Sequence, residues 1–393
     1  MVSDNALDFP PSRNISRERV HIVQPKNVPN QTPRYLVLMV SADRPIGGVN
    51  ILLWLIERLN EAGYRAAALH GNRSYRYEYH NFTGDNLYSS ELDALNQSLF
   101  RRGFLGRLKK ALACLARIRW RRWFQSQPRL PIWQPEPHDV LVVPEFMYPE
   151  AVAAFGGRNC ILAVQDVFGL MYASLRSRRW QGAQPEQFSA IFSTSQACDG
   201  AVRAVFNVKG GGFRLPVCHA GLTYNPDKKL QIALMPRKRR EEARILASLI
   251  KRHPDLVGVP LVVIDQLPDE AAHRLIRESL IFLSLSQREG FGLPPAEAMA
   301  TGSLVIGYTG VGGEEFFTEE TGFPIPDGDI VAFVEQVADV VSAWRQAPEE
   351  LEHKRRHASD FIWSHYNETV ARQSLLELWA GIDAHQRVKD QSR

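Results

Sequence analysis

The sequence predicts an α/β chain made of two doubly wound domains of similar size that face each other. Short apolar runs rich in β-formers alternate with helical patterns from residue 34 onward, which implies parallel sheets covered by helices on both faces. The alternation occurs twice, once on each side of the glycine-rich segment VKGGGFRLPV (208–217), which reads as the approach to an interdomain connection. The length agrees, since 393 residues is room for more than one core.

The elements follow in order. Residues 1–33 are polar and proline-bearing and predict an irregular arm. RYLVLMV (34–40) predicts the first strand, followed by the turn ADRPIGG and a helical pattern from Asn50 to Ala62, with Ile51, Leu52, Leu55, Ile56 and Leu59 on its apolar face. VLVVP (140–144), CILAVQD (160–166) and AIFSTS (190–195) are further buried strands, the last running into the helix QACDGAVRAVF. These make a first domain over 34–215. The second, 216–370, runs through QIALMP (231–236), a charged helix from Arg237, GVPLVVID (258–265), the helix DEAAHRLIRES, the strand LIFLSLS (280–286), the helix PPAEAMATG and the strand SLVIGY (303–308). From Asp329 the pattern is helical, and 371–393 is a helical segment that can cross back to the first domain.

Composition narrows the class. Hydrophobic residues are 45 % and charged residues 23 %, as in ordinary globular chains, which excludes collagen-like and wholly disordered readings. The longest apolar runs fall well short of the roughly 20 residues of a spanning helix. The first residues lack the apolar core of a secretory leader, so a cytoplasmic location is expected. Cys114, Cys160, Cys198 and Cys218 are widely spaced, and no Cys/His cluster has metal-ligand spacing. Buried thiols are expected, with no metal and no cofactor.

The net charge of +4 is uneven. Between Asp93 and Glu136 there is no acidic residue but ten Lys or Arg. Within it, 101–124 alternates basic side chains with Phe104, Leu105, Leu108, Leu112, Leu115, Ile118, Trp120, Trp123 and Phe124 at helical spacing. A cationic amphipathic helix of this kind suits an anionic membrane surface at the inner face of the cell membrane, or the packed surface of a domain. No recognition motif accompanies the charge, so no nucleic-acid partner is expected.

The chemistry concentrates in SLSQREGFGLPPAEAMATG (284–302). A strand ends at Ser286, a glycine loop follows, and Pro294 and Pro295 suit the first turn of a helix that Gly302 stops. Glycines admit a ligand close to the backbone, and the amides and dipole of a helix start favour an anion such as a diphosphate. Glu289 projects at one end of that anion, and Glu297, about a turn into the helix, can accept hydrogen bonds from hydroxyls at the other. The order suggested is sugar, phosphate, ribose.

This stretch resembles the motif of two glutamates seven residues apart in retaining GT-B glycosyltransferases, in particular glycosyltransferase family 4, and the order of elements fits over roughly residues 34–380. The resemblance implies a GT-B fold, two Rossmann-like domains facing a cleft. It implies that Glu289 contacts donor-sugar hydroxyls, that Glu297 binds the ribose, and that the backbone around Gly290, Phe291, Gly292 and Leu293 meets the diphosphate. Gly47 and Gly48 resemble the family's amino-terminal glycine pair, which lies against the donor phosphates. The family's cationic clamp on the departing diphosphate falls at MPRKRR, which points to Arg237 and Lys238, with Arg239 and Arg240 as competitors. Where many members carry a histidine and an aspartate, this chain has Gln165 and Asp166, read as an acceptor-side or sugar-side contact or as a strand-end cap. Glu145, at the end of VLVVP, is a weaker candidate of the same kind, and Glu314 and Glu315 are read as caps of a following helix.

The function so implied is a retaining, metal-independent glycosyltransferase of the hexosyltransferase type. It would move a sugar from a UDP-, GDP- or dTDP-sugar to a saccharide or lipid-linked saccharide acceptor in bacterial surface-glycan synthesis. The Gln-Asp pair and MPRKR resemble the rhamnosyltransferase-like branch. The alternatives are another GT-B activity, such as a phosphorylase or nucleotide-sugar epimerase, and a non-catalytic sugar- or membrane-binding module.

Overall fold

The computed structural model describes residues 32–391 apart from 41–45, 75–76, 78–79, 102–128, 156–157, 178–183, 219 and 266. The arm expected up to residue 31, the amphipathic stretch beyond residue 101 and Cys114 lie outside the described residues.

The first sheet is wholly parallel and has the order β3-β2-β1-β4-β5-β6-β7. Its strands are β1 (Arg34–Met39), β2 (Arg65–His70), β3 (Asp85–Tyr88), β4 (Asp139–Pro144), β5 (Asn159–Val164), β6 (Phe188–Ser193) and β7 (Gly211–Gly212). Alternate residues serve opposite faces, as the pleat requires. Tyr35, Val37, Val140, Val142, Ile161 and Ala163 pack in one cluster, and Leu36, Leu38, Leu141, Val143, Leu162 and Val164 in another. The helices are α1 (Gly47–Glu61), α2 (Ser90–Arg101), α3 (Tyr148–Ala154), α4 (Val167–Ser177) and α5 (Gln196–Phe206).

The second sheet, also parallel, has the order β12-β11-β10-β8-β9. It comprises β8 (Lys229–Leu234), β9 (Leu261–Val263), β10 (Ser279–Leu285), β11 (Leu304–Tyr308) and β12 (Phe323–Pro324). Around it lie α6 (Arg240–Arg252), α7 (Asp269–Glu278), α8 (Leu293–Ala300), α9 (Ile330–Gln346) and α10 (Pro348–His365), before α11 (Glu368–Gln391) ends the described chain.

Within the glycine-rich segment, Gly211 and Gly212 form edge strand β7 before the chain leaves for the second sheet, and a Cβ on Gly211 would lie 2.5 Å from Leu378 of α11. Two readings need correction. Gly47 and Gly48 are not a turn but the first residues of α1, which starts three residues earlier than its apolar spacing suggests. The charged helix starts at Arg240, because Arg237 takes a left-handed φ of 41° that no helix interior tolerates.

Helix α11 packs on the first sheet although the preceding helices belong to the second. Tyr35 Oη donates to Asp383 at 2.7 Å, Trp54 Nε1 and Arg58 donate to Glu368 at 2.9 Å, and Gln386 donates to Ser189 at 2.6 Å. Trp379, fully buried, meets Tyr35 and Phe192 edge-on with centroids 5.0 and 5.9 Å away. Cutting Trp379 to Ala empties a site ringed by aromatics. The expected cost is about 3–5 kcal/mol, read as a lower midpoint in urea unfolding.

Candidate active site

In the second sheet the chain leaves β8 toward β9 on one side and β10 toward β11 on the other. The loops after β8 and β10 therefore diverge and leave a crevice at the carboxyl ends of the strands, the place where open α/β sheets hold ligands. Arg237 and Lys238 stand on the first of these loops and Glu289 on the second. The Arg237 guanidinium and the Lys238 ammonium each lie 3.5 Å from the same oxygen, Oε1 of Glu289. Lys238 also donates to the carbonyls of Gln287 and Arg288 at 3.2 and 3.0 Å, so it ties one loop to the other.

The four basic residues divide by partner. Arg239 is only 9 % exposed; it is bonded to Glu242 and Asp327 and lies 4.6 Å over the ring of Tyr308. Arg240 forks onto Asp265 at 2.6 and 2.8 Å. Arg237 and Lys238, at 43 and 45 % exposure, are left facing the crevice, with Glu289 more enclosed at 14 %. Their charges are thus available to an anion that Arg239 and Arg240 are too occupied to reach.

Helix α8 opens this crevice with its amino terminus. Gly292 is its N-cap at φ 98°, a conformation that suits glycine, and no side chain caps the helix. Pro294 and Pro295 fill the first turn and have no N–H, so the amides left over are those of Gly292 and Leu293. Phe291 is buried, its ring 4.8 Å from Phe316 and 5.0 Å from Tyr366. Glu297 lies one turn into α8, with Nε2 of His273 from α7 at 3.8 Å from its Oε2. Burial alone would lower the His273 pKa, but the Glu297 carboxylate, with Asp269, raises it overall. No sequence signal marks His273, because a lone histidine on an amphipathic helix has no partner spacing to reveal it.

The first lobe supplies the opposite wall. A Cβ on Gly47 would be 2.7 Å from Leu293, and one on Gly48 would touch the Gln165 side chain at 3.6 Å. Tyr77 Oη accepts the Ile46 amide at 2.9 Å and so fixes the start of α1. Gly290 meets the backbone of Gln165 so closely that a Cβ there would stand 1.8 Å from its carbonyl oxygen. Ser195, the N-cap of α5, donates its hydroxyl to the Gly290 carbonyl. Arg288 donates to Tyr172 Oη at 3.0 Å and lies over Phe168.

Of three carboxylates read as contacts or caps, Asp166 is a cap and the other two bond elsewhere. Asp166 accepts the Gly169 amide at 2.8 Å in the first turn of α4, which is the cap alternative. Glu145 is buried behind the wall and accepts the Gln165 amide at 3.1 Å. Glu315 does not cap its own turn: it accepts the Gln196 amide of the first lobe at 2.7 Å. The structure thus gathers Glu289, Arg237, Lys238, Gly290 and Gly292 at the crevice and brings Gly47, Gly48 and Gln165 against it.

Two outcomes follow from these contacts. Gly290→Ala is expected to lose about 1–3 kcal/mol in denaturant unfolding as the lobes are forced apart. Gly200→Ala, in α5 with nothing within 4 Å of the added Cβ, is expected to be neutral or stabilising. Burial pushes the Glu145 carboxyl up to about 8, against the pull of the Gln165 amide. The unfolded chain gives up that proton near pH ~4.3, so it binds fewer protons than the fold between these values. The contribution of Glu145 to stability therefore falls as pH rises from roughly 4.3 to about 8. Glu145→Gln is expected to flatten that slope, measured as unfolding midpoints at about pH 5 and about pH 8.

Comparison with known proteins places this geometry. Residues 256–358, which include Glu289, Glu297 and Glu315, match the family model described as Glycosyl transferases group 1. Over 116 residues the chain is 32 % identical to an alpha-1,6-glucosyltransferase of Actinobacillus pleuropneumoniae serotype 7, a match covering 28 % of this chain and 35 % of the relative. The chain thus spans about a third of the length of the curated relatives it matches. Among solved structures, sucrose-phosphate synthase of Thermosynechococcus elongatus is 13 % identical with a TM-score of 0.58, covering 90 % of this chain and 99 % of that one. Anabaena HepE in complex with UDP is 13 % identical with a TM-score of 0.55, covering 88 % of this chain and 100 % of that one. The chain has the GT-B fold, two parallel α/β sheets meeting at their carboxyl ends, and its second lobe holds the segment that matches the group 1 model.

Proposed function

We propose that the chain is a retaining glycosyltransferase of family 4, which moves a sugar from a nucleoside-diphosphate donor to a saccharide or lipid-linked saccharide acceptor in bacterial surface-glycan synthesis. The observation that carries this reading is the convergence of Arg237, Lys238 and Glu289 at the mouth of the uncapped helix α8, with Glu297 one turn further in. The diphosphate lies against the Gly292 and Leu293 amides, its charge met by the helix dipole and the two cations. Glu289 takes the sugar hydroxyls and Glu297 those of the ribose. The first lobe, with Gln165 at its rim, faces the acceptor.

Catalysis then rests on charge stabilisation. The bond between the anomeric carbon and the diphosphate oxygen breaks, and the acceptor oxygen bonds to that carbon on the same face. The acceptor proton passes to the departing phosphate oxygen. Arg237 and Lys238 gain most as charge grows on the leaving group, and that differential lowers the barrier. HepE has been seen with UDP and with UDP-glucose, which makes UDP-sugars the first donors to try, ahead of GDP-sugars and of the dTDP-rhamnose that the rhamnosyltransferase-like branch would use. Among the described residues no helix is long and apolar enough to cross a membrane, and the reading places the enzyme in the cytoplasm at the inner membrane face.

The test is a panel of nucleotide sugars incubated with the full chain and saccharide acceptors, following release of the nucleoside diphosphate and the anomeric configuration of the product. Transfer with retention is expected from one donor. Glu289→Ala is expected to lower turnover by about 10²–10³-fold with an unchanged unfolding midpoint. Near-normal turnover in that variant would remove Glu289 from the reaction.

A further inference from the structure

Glu315 bonds both to the first lobe and to the return crossing of the chain between the lobes. It closes the short 3-10 turn Gly312–Glu315 after β11. That turn is packed on the Gly290 loop, since a Cβ on Gly312 would be 2.4 Å from the Gly290 carbonyl carbon. One carboxylate oxygen accepts the Gln196 amide at 2.7 Å, at the first residue of α5 in the other lobe. The second accepts the Tyr366 hydroxyl at 2.9 Å, where the chain turns back from α10 toward the first lobe.

Tyr366 extends the connection. Arg214, on the outward crossing between lobes, donates to its hydroxyl at 3.3 Å and lies 5.6 Å over its ring. The Tyr366 carbonyl accepts the amides of Val217 and Cys218 at 2.9 and 3.0 Å. Its ring packs on Phe291 of the site loop. Residues 195 and 196 therefore hold the second lobe at two points, Ser195 at the Gly290 carbonyl and Gln196 at Glu315.

We infer that Glu315 is a positioning residue for sugar transfer: by joining the Gln196 amide to the Tyr366 hydroxyl it fixes the register in which Gly290 meets Gln165, and so the distance between the donor crevice and the acceptor wall. The carboxylate is mostly buried, which raises its pKa against the pull of the Gln196 amide, the Tyr366 hydroxyl and the Arg214 charge. Its two hydrogen-bond donors are both protein groups. This role rests on the transferase reading above, but the contact network behind it does not.

Two substitutions break the same link from opposite sides. Glu315→Ala removes the acceptor. Gln196→Pro removes only the donating amide, because proline is tolerated at the first position of a helix and Ser195 already has the extended φ of −160° and ψ of 163° that a following proline requires. Each is expected to lower kcat about 10-fold or more while a titrated nucleoside diphosphate binds within about 3-fold of wild type, since Arg237, Lys238, Glu297 and the start of α8 all sit on the second lobe. Each is also expected to speed amide exchange in peptides spanning 195–198 and 289–291, and to enlarge the radius of gyration in scattering. Glu315→Gln keeps an acceptor and a donor at this point and is expected to restore kcat and exchange protection. Unchanged exchange and scattering in Gln196→Pro would overturn the role even if no sugar is ever transferred. Equal losses of donor affinity and kcat in both variants would overturn it too, by showing a general weakening of the fold.

Discussion

The approach of Gly290 to the carbonyl of Gln165 is the contact on which the rest of the molecule depends. It brings the carboxyl ends of two separate parallel sheets within hydrogen-bonding reach, and no residue with a side chain could occupy the position. Around it the chain has placed other small groups: Gly47 against Leu293, Gly48 against Gln165 and Gly312 against Gly290. None of these four glycines has a positive φ, in contrast to the N-cap Gly292 at φ 98°. Their shared property is the absence of a Cβ where neighbours close in: the Leu293 side chain of the other lobe on Gly47, the Gln165 side chain on Gly48 and the Gly290 backbone on Gly312.

Charge is distributed with the same economy. Four consecutive basic residues follow β8, and a sequence alone gives no reason to prefer one of them. The fold separates them by partner, binding Arg239 within an acidic and aromatic pocket and Arg240 to Asp265. What remains is a pair of cations shared by one carboxylate, Glu289, held in place by the carbonyls of its own loop. A pair so arranged is poised to exchange the carboxylate for a stronger anion when one enters.

Much of this was legible in the sequence because parallel strands buried on both faces are nearly continuous apolar runs, and β1, β4, β5, β6, β8, β10 and β11 all read that way. Strand β2, with three alanines, and β3, DNLY, carry too little apolar pattern to be seen. The glutamate pair at 289 and 297 announced itself through glycines and prolines that fix a loop and a helix start. The Glu145, Glu315 and His273 roles were hidden, since each depends on a partner 20 or more residues away that only the assembled lobes bring near.

The return of α11 to the first sheet has a consequence for biosynthesis. Tyr35 and Phe192 emerge early from the ribosome, but Trp379, which covers them, is made long after β6. At roughly 5–20 residues per second, the nascent first lobe waits on the order of ten seconds or more with an aromatic surface unroofed. The aromatic face of the first lobe is thus roofed only once α11 has been made, well after its own sheet is complete.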